Sequence, residues 1–431
     1  MRSGAGQGAT NADKGLLMKL GNLRGPRLIA TGAFAVVGIG AATFAVLTSG
    51  SSTPGAPSSR LALGSPGAPT PSAAASTTPS PTAAPTGPIP AGFVGADLSF
   101  VSANNGWALG TAPCATPTCT SLLSTSDGGK SWSGRPAPVA ALVGDKACTD
   151  QRTCISSLRF ADSQHGYAFG GALITTNDGG ASWTRQVSPY VDALEATGGT
   201  VLRVVHTSAG CPPGCTYTVQ RAAVGSATWK TLDTAALEGN RALLFRQGKA
   251  AYVFVLKNPA GGAGDAHASL LVSRDDGSTW AQRNDPCGLS APNAPEELDA
   301  TAAAVAPDGS LAVLCANRSS QRGSVVVSTD QARTFGPAAA LPSNALGVSV
   351  SAASRSRFVV SATNGPSYEL LLTTNTGATW TRVASTPNIA GATKGFLGFT
   401  TASVATAAQP DRRHLWRSLD GGATWSSQTW H

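Results

Sequence analysis

Four aspartates recur in one local setting along this chain of 431 residues. Asp127, Asp178, Asp275 and Asp420 each follow a serine or threonine two positions back. Each precedes a glycine, a serine or threonine, and a tryptophan. Carboxylates repeated in this way could act as general acids or bases, or as calcium ligands. Their distribution argues against both, because they fall one per unit on separate turns, too dispersed to converge. An aspartate followed by glycine also has a local use. The carboxylate folds back onto main-chain N–H groups, and a residue such as Gly129 supplies positive φ at no steric cost. The reading is therefore structural: no catalytic residue, no metal and no cofactor is assigned.

The same stretch is weaker at Asp330, where Ala332 replaces glycine and Phe335 the tryptophan, and at Asn375, where the acid is an amide. A seventh copy ending in Thr228-Trp229 has lost its acid, with Val224 at the aspartate position and Ser226 at the glycine. The five histidines (His165, His206, His267, His414 and His431) show no ligand spacing. His165 precedes a turn glycine where Asn105 stands in the first unit, which suits a turn. No phosphate-binding loop, serine nucleophile elbow or dinucleotide fingerprint is visible.

Eight cysteines pair off along the chain as Cys114/Cys119, Cys148/Cys154, Cys211/Cys215 and Cys287/Cys315. An even count in an exported domain implies disulfides. Cys211-Pro-Pro-Gly-Cys215 has zinc-like spacing, but no second pair of that character accompanies it.

The elements that carry these residues follow from the repeat. The aromatic anchors at 132, 183, 229, 280, 335, 380 and 425 lie about 49 residues apart, which suits a four-stranded propeller blade. Short β runs alternate with glycine, asparagine and aspartate turns. The fold expected is all-β, a seven-bladed propeller from about Ala96 to His431. The repeated aspartates sit on the turns between third and fourth strands, with Asp127, Asp178, Asp275, Asp330, Asn375 and Asp420 as structural turn residues. Residues 89–95 are a candidate extra edge strand. All four cysteine pairs then fall on the opposite face, among the longer loops.

The S-x-D-x-G-x-T-W pattern resembles the Asp-box, or BNR repeat, of sialidases, sortilin-type receptor ectodomains and the photosystem II assembly/stability factor family. The element from Phe100 to Gly110 looks most like the last of these. The resemblance covers roughly residues 93–431 and implies a non-enzymatic binding or assembly module. A sialidase would need an arginine triad, a tyrosine nucleophile with a glutamate partner, and an acid. The Arg-Ile-Pro motif is absent, and Tyr368 and Glu369 are adjacent on one expected strand. An exo-acting glycosidase of the sialidase type is the alternative, and a passive wall spacer a third.

Net charge is +8, but residues 1–90 hold six basic residues against one acid, so the remainder is nearly balanced and does not suggest nucleic-acid binding. The chain divides into a basic cytoplasmic tail (1–27), an apolar run expected to be an uncleaved transmembrane anchor (28–48), a disordered Pro/Ala/Ser/Thr linker (49–92) and the propeller (93–431). Basic residues precede the apolar run, which puts the N-terminus in the cytoplasm and the propeller outside. A cleaved signal peptide is the competing reading. The partners expected are the membrane and an envelope protein or glycan. The candidate binding residues are Asp145, Lys146, Asp150, Arg152, Asp265 and His267, on the loop face.

Overall fold

The computed structural model describes residues 86–430, apart from 116–117, 208–210, 212–213, 235–236, 257–267, 288–298, 318–321, 343–344, 365–366, 384–396 and 409–412. The tail, the expected anchor at 28–48 and most of the linker lie outside the described residues. Among the described residues no helix is long and apolar enough to cross a membrane.

Seven antiparallel sheets follow one another in chain order. Blade one is β1 (Val94–Phe100), β2 (Gly106–Ala112), β3 (Cys119–Thr125) and β4 (Ser133–Arg135); blade two is β5 (Ile155–Phe160), β6 (Gly166–Gly170), β7 (Leu173–Thr176) and β8 (Thr184–Gln186). Blade three is β9 (Tyr190–Thr197), β10 (Thr200–His206), β11 (Cys215–Ala223) and β12 (Lys230–Thr231), with β13 (Leu237–Gly239) also paired to β11. Blade four is β14 (Arg241–Gln247), β15 (Ala250–Leu256), β16 (Ser269–Ser273) and β17 (Ala281–Arg283); blade five is β18 (Asp299–Val305), β19 (Leu311–Asn317), β20 (Arg322–Ser328) and β21 (Ala339–Ala340). Blade six is β22 (Leu346–Ala352), β23 (Phe358–Asn364), β24 (Ser367–Thr373) and β25 (Thr381–Arg382); blade seven is β26 (Leu397–Phe399), β27 (Ala405–Ala408), β28 (His414–Ser418) and β29 (Ser426–Thr429). The seven-bladed reading holds, and the extra β13 makes blade three five-stranded rather than four-stranded.

Burial explains the strand order. The second strands are apolar on both faces, as in β15, where Tyr252 and Phe254 are fully buried. The fourth strands are short and polar, as in β8 and β25, so each blade ends on an edge that offers little to another sheet. The apolar clusters lie between neighbouring blades. Leu109 and Leu122 of blade one pack with Ile155, Leu158 and Ala168 of blade two, each large side chain contributing roughly 1.5–3 kcal/mol. The first strands of successive blades touch one another, β1 to β5, β5 to β9, β9 to β14 and on to β26.

Blade seven closes on blade one through side chains. Leu415 and Ala408 pack with Phe93, Leu123 and Trp132, and Trp430 meets Phe93 and Trp132 edge-on at 5.2 Å. The Arg417 guanidinium donates to the carbonyls of Gly128 and Ala103 across the same seam. The expected edge strand at 89–95 is displaced. Val94 and Gly95 belong to β1, and the extra pairing is made by Gly87, which exchanges backbone hydrogen bonds of 3.0 and 2.9 Å with Gly134 of β4. A Cβ on Gly134 would collide with the Pro88 carbonyl, so this close approach requires glycine.

Candidate functional site

The repeated turns share one hydrogen-bond geometry. In the first, the Thr125 hydroxyl accepts from Gly129 N at 2.8 Å and donates to Asp127 Oδ1 at 2.8 Å. Asp127 Oδ1 also accepts from Ser131 N at 2.9 Å, and its Oδ2 from the Ser131 hydroxyl at 2.6 Å. Asp178, Asp275, Asp330 and Asp420 repeat this arrangement. Asn375 keeps the backbone bond and turns its amide on Thr379 Oγ1 at 2.8 Å. The Thr279 hydroxyl and N–H hold the Asp275 carboxyl down to about 2. For Asp127 and Asp420 burial pushes upward, but the hydrogen bonds win and leave both at about 2. These groups are held as turn acceptors, with their lone pairs committed to their own turns. Among the described residues, the non-glycine residues with positive φ are Asp276, Gln331, Ala332 and Thr376, all within these turns. Each costs of order 1 kcal/mol that the turn's bonds offset.

Neighbouring blades clamp the turns. Trp107 of blade one donates to Gly179 O at 3.4 Å, Arg274 of blade four to Gln331 O at 2.7 Å, and Arg357 of blade six to Asp420 O at 2.6 Å. Blade three, which lacks the acid, is held differently: Gly225 N donates to the Tyr167 phenol of blade two at 3.0 Å.

The opposite face carries the cystines. Cys114–Cys119 closes the β2–β3 loop, Cys148–Cys154 the connection from β4 to β5, and Cys211–Cys215 the β10–β11 loop. Cys287–Cys315 ties the segment after β17 to β19. All four expected pairs form. Of the candidate binding residues, Asp145 accepts from Ala147 N at 3.0 Å and from the Thr118 hydroxyl. Asp150 caps a single 3-10 turn at Gln151–Thr153, accepting from Arg152 N at 3.0 Å. Asp150 therefore shapes its own loop, and Asp145 ties its loop to the β2–β3 loop. Lys146 and Arg152 stand exposed, and Asp265 and His267 lie outside the described residues.

Two clusters escaped sequence reasoning. On the innermost strands Arg159 bridges Asp97 at 3.1 Å and Glu195 at 3.0 Å, linking blades one, two and three. A β-bulge before Asp97 turns its carboxylate across the blade boundary, where it also accepts from Leu158 N at 2.8 Å. Burial raises the Asp97 carboxyl, against the pull of the guanidinium. Arg246 is wholly buried, paired with Asp276 and donating to Thr200 O at 2.9 Å. Arg159 and Arg246 thus lie toward the turn-bearing end of their strands, whereas Arg241 opens β14 at the other end. Arginines so separated, two of them committed to protein carboxylates, do not form a triad. Tyr368 and Glu369 are consecutive on β24, and Glu369 pairs with Arg382 at 2.5 Å.

The second cluster lies under the Cys211–Cys215 loop. His206, closing β10, meets Asp192 at 2.5 Å, stacks on Tyr190 at 4.6 Å and touches Tyr217 edge-on at 5.9 Å. Burial, then the Asp192 charge, pushes Tyr190 up to about 12. Counting back from the Gly198-Gly199 turn would set His206 opposite Val191. A β-bulge that skips Asp192 shifts the register by one and brings His206 opposite Tyr190, so no sequence signal marks the cluster. Among the described residues no group of three or more His, Cys, Asp or Glu is arranged to hold a metal ion.

No family model matches this chain, and no curated protein matches it. Solved structures do. One described as YCF48 bound to D1 peptide is 16% identical, with 82% of this chain and 98% of that chain covered and a TM-score of 0.48. YCF48 from Cyanidioschyzon merolae is 13% identical, with 81% and 99% covered and a TM-score of 0.47. A GH74 enzyme from Niastella koreensis is 14% identical, with 78% and 65% covered and a TM-score of 0.25. None of these identities reaches a level at which function transfers.

Proposed function

We propose that this chain is a non-enzymatic, membrane-anchored propeller that docks a protein or glycan partner of the cell envelope on its loop face. The observation that carries the reading is the gathering of all four disulfides on that one face. Loops that are long, irregular and cross-linked lose less entropy on binding, and a rigid ring of blades holds them in place. The saturated turn acids and the dispersed inner arginines leave the exo-glycosidase reading without a support of its own. Its resemblance to assembly-factor and sortilin-type propellers enters here only as an analogy of fold.

The test uses the full chain in membranes, cross-linked and captured. Changing Asp150 and Arg152 to alanine should reduce recovery of the captured partner. Changing Lys130, Ala181 and Ala423 on the repeated turns should not. The opposite pattern overturns the assignment of the face.

A further inference from the structure

The repeat has one position whose departure builds a cleft. The second glycine of each turn lies against the preceding blade: Gly180 against Leu122, Gly277 against Leu202, Gly422 against Val359 and Gly129 against Leu415. Ala332 and Gly377 occupy the same place, and all six are buried. In blade three the equivalent residue is Ser226, and it is only half-buried. Its turn is tied to β6 of blade two by the bond from Gly225 N to the Tyr167 phenol, with the His165 ring packed against Gly225. Between this turn and the outer strands of blade two lies a cleft of about 270 Å³.

Its walls are mixed, with hydroxyls and amides beside apolar surface such as that of Ala227. Tyr167, Thr175 and Thr184 form a cross-strand row on β6, β7 and β8, and Asn177, Gln186 and Ser226 also line the cleft, with the Gln186 amide donating to the Thr175 hydroxyl at 3.1 Å. Among the described residues no lysine or arginine lines it, and the Asp178 carboxylate there is committed to Ser182 and Thr176. Thr184 and Gln186, two apart on β8, present one face of the strand, so an occupant meets side chains rather than an open strand edge. The Asn177 amide and the Thr184 hydroxyl can both donate and accept, and with the apolar surface beside them they match a neutral polyhydroxyl ring, while the volume falls just below the roughly 300–1,000 Å³ of drug-sized sites. We propose that this cleft binds a single neutral sugar residue, separately from the loop face.

The experiment titrates the full chain with methyl glycosides of neutral hexoses and N-acetylhexosamines, observed by saturation-transfer NMR. A short neutral peptide of serine and glycine runs in parallel. Saturable millimolar binding of a glycoside is expected. Thr184→Trp, at an exposed position that fills the cleft, should weaken it by about tenfold or more, equivalent to roughly 1.4 kcal/mol. Asn177→Ala should weaken it less, and both should melt like the parent. The Asp150 and Arg152 changes should leave it intact, so the fate of the loop-face reading does not decide this one. The proposal is overturned by no saturable glycoside binding, by binding that persists in a folded Thr184→Trp chain, or by peptide binding in the absence of glycoside binding.

Discussion

Arg159 is the side chain on which three blades depend, and replacing it with methionine tests how the ring is held. Its side chain is about 10% exposed, and those of Asp97 and Glu195 are 5% exposed, so replacing it removes from two buried carboxylates the cation they share. Breaking a buried pair this way costs about 3–5 kcal/mol. Asp97 keeps its bonds from Leu98 N at 2.9 Å and Leu158 N at 2.8 Å, which places the expected loss near the lower end, about 3 kcal/mol at pH 7. The Asp97 carboxyl is already raised by burial, and losing the guanidinium raises it further. A carboxyl raised in the folded state gives stability that is full below its unfolded value, near 4, and is lost as pH rises through the folded value. The deficit of Arg159→Met should therefore shrink as pH falls from 7 toward about 4. Urea unfolding followed by tryptophan fluorescence at several pH values measures it, provided the slope is unchanged. A deficit under about 1 kcal/mol at pH 7, or one that does not change with pH, refutes the reasoning.

In the repeated turns, Asp275→Ala should cost about 1–2 kcal/mol by the loss of three turn hydrogen bonds, and Asp275→Asn less, since blade six already runs on Asn375. The Asp275 carboxyl is depressed to about 2, so its contribution is present above the ordinary carboxylate value near 4 and lost as pH falls toward 2, which an acid titration of parent and variant separates. Among the cystines, Cys287–Cys315 spans 28 residues against 4 for Cys211–Cys215. By loop closure its replacement with serines should cost about 3–4 kcal/mol, the shorter one about 2, as read by denaturant midpoints. A topology reporter fused after His431 should be active outside the cytoplasm with the protein in the membrane fraction, and release of a chain beginning near residue 46 would favour a cleaved leader.

The sequence by itself determined the repeat, the seven blades, the face on which the turns lie and the pairing of the cysteines. These were legible because each rests on groups close together along the chain. The nine residues from Ser124 to Trp132 make nearly all the hydrogen bonds of their turn among themselves, so residue types at fixed offsets suffice. Three of the four cystines join residues 4 to 6 apart, and the loop in which each falls was readable. Tertiary structure alone decided which charges meet. Asp97, Arg159 and Glu195 lie 62 and 36 residues apart, and His206 meets Asp192 only through the register of β9 and β10. Such contacts depend on how a bulge aims a side chain and how one blade packs on the next, neither of which is written in local residue type. The same holds for the cleft. The lost acid and glycine at Val224 and Ser226 were plain in the sequence, but it took the packing of blade three against blade two to turn that loss into space.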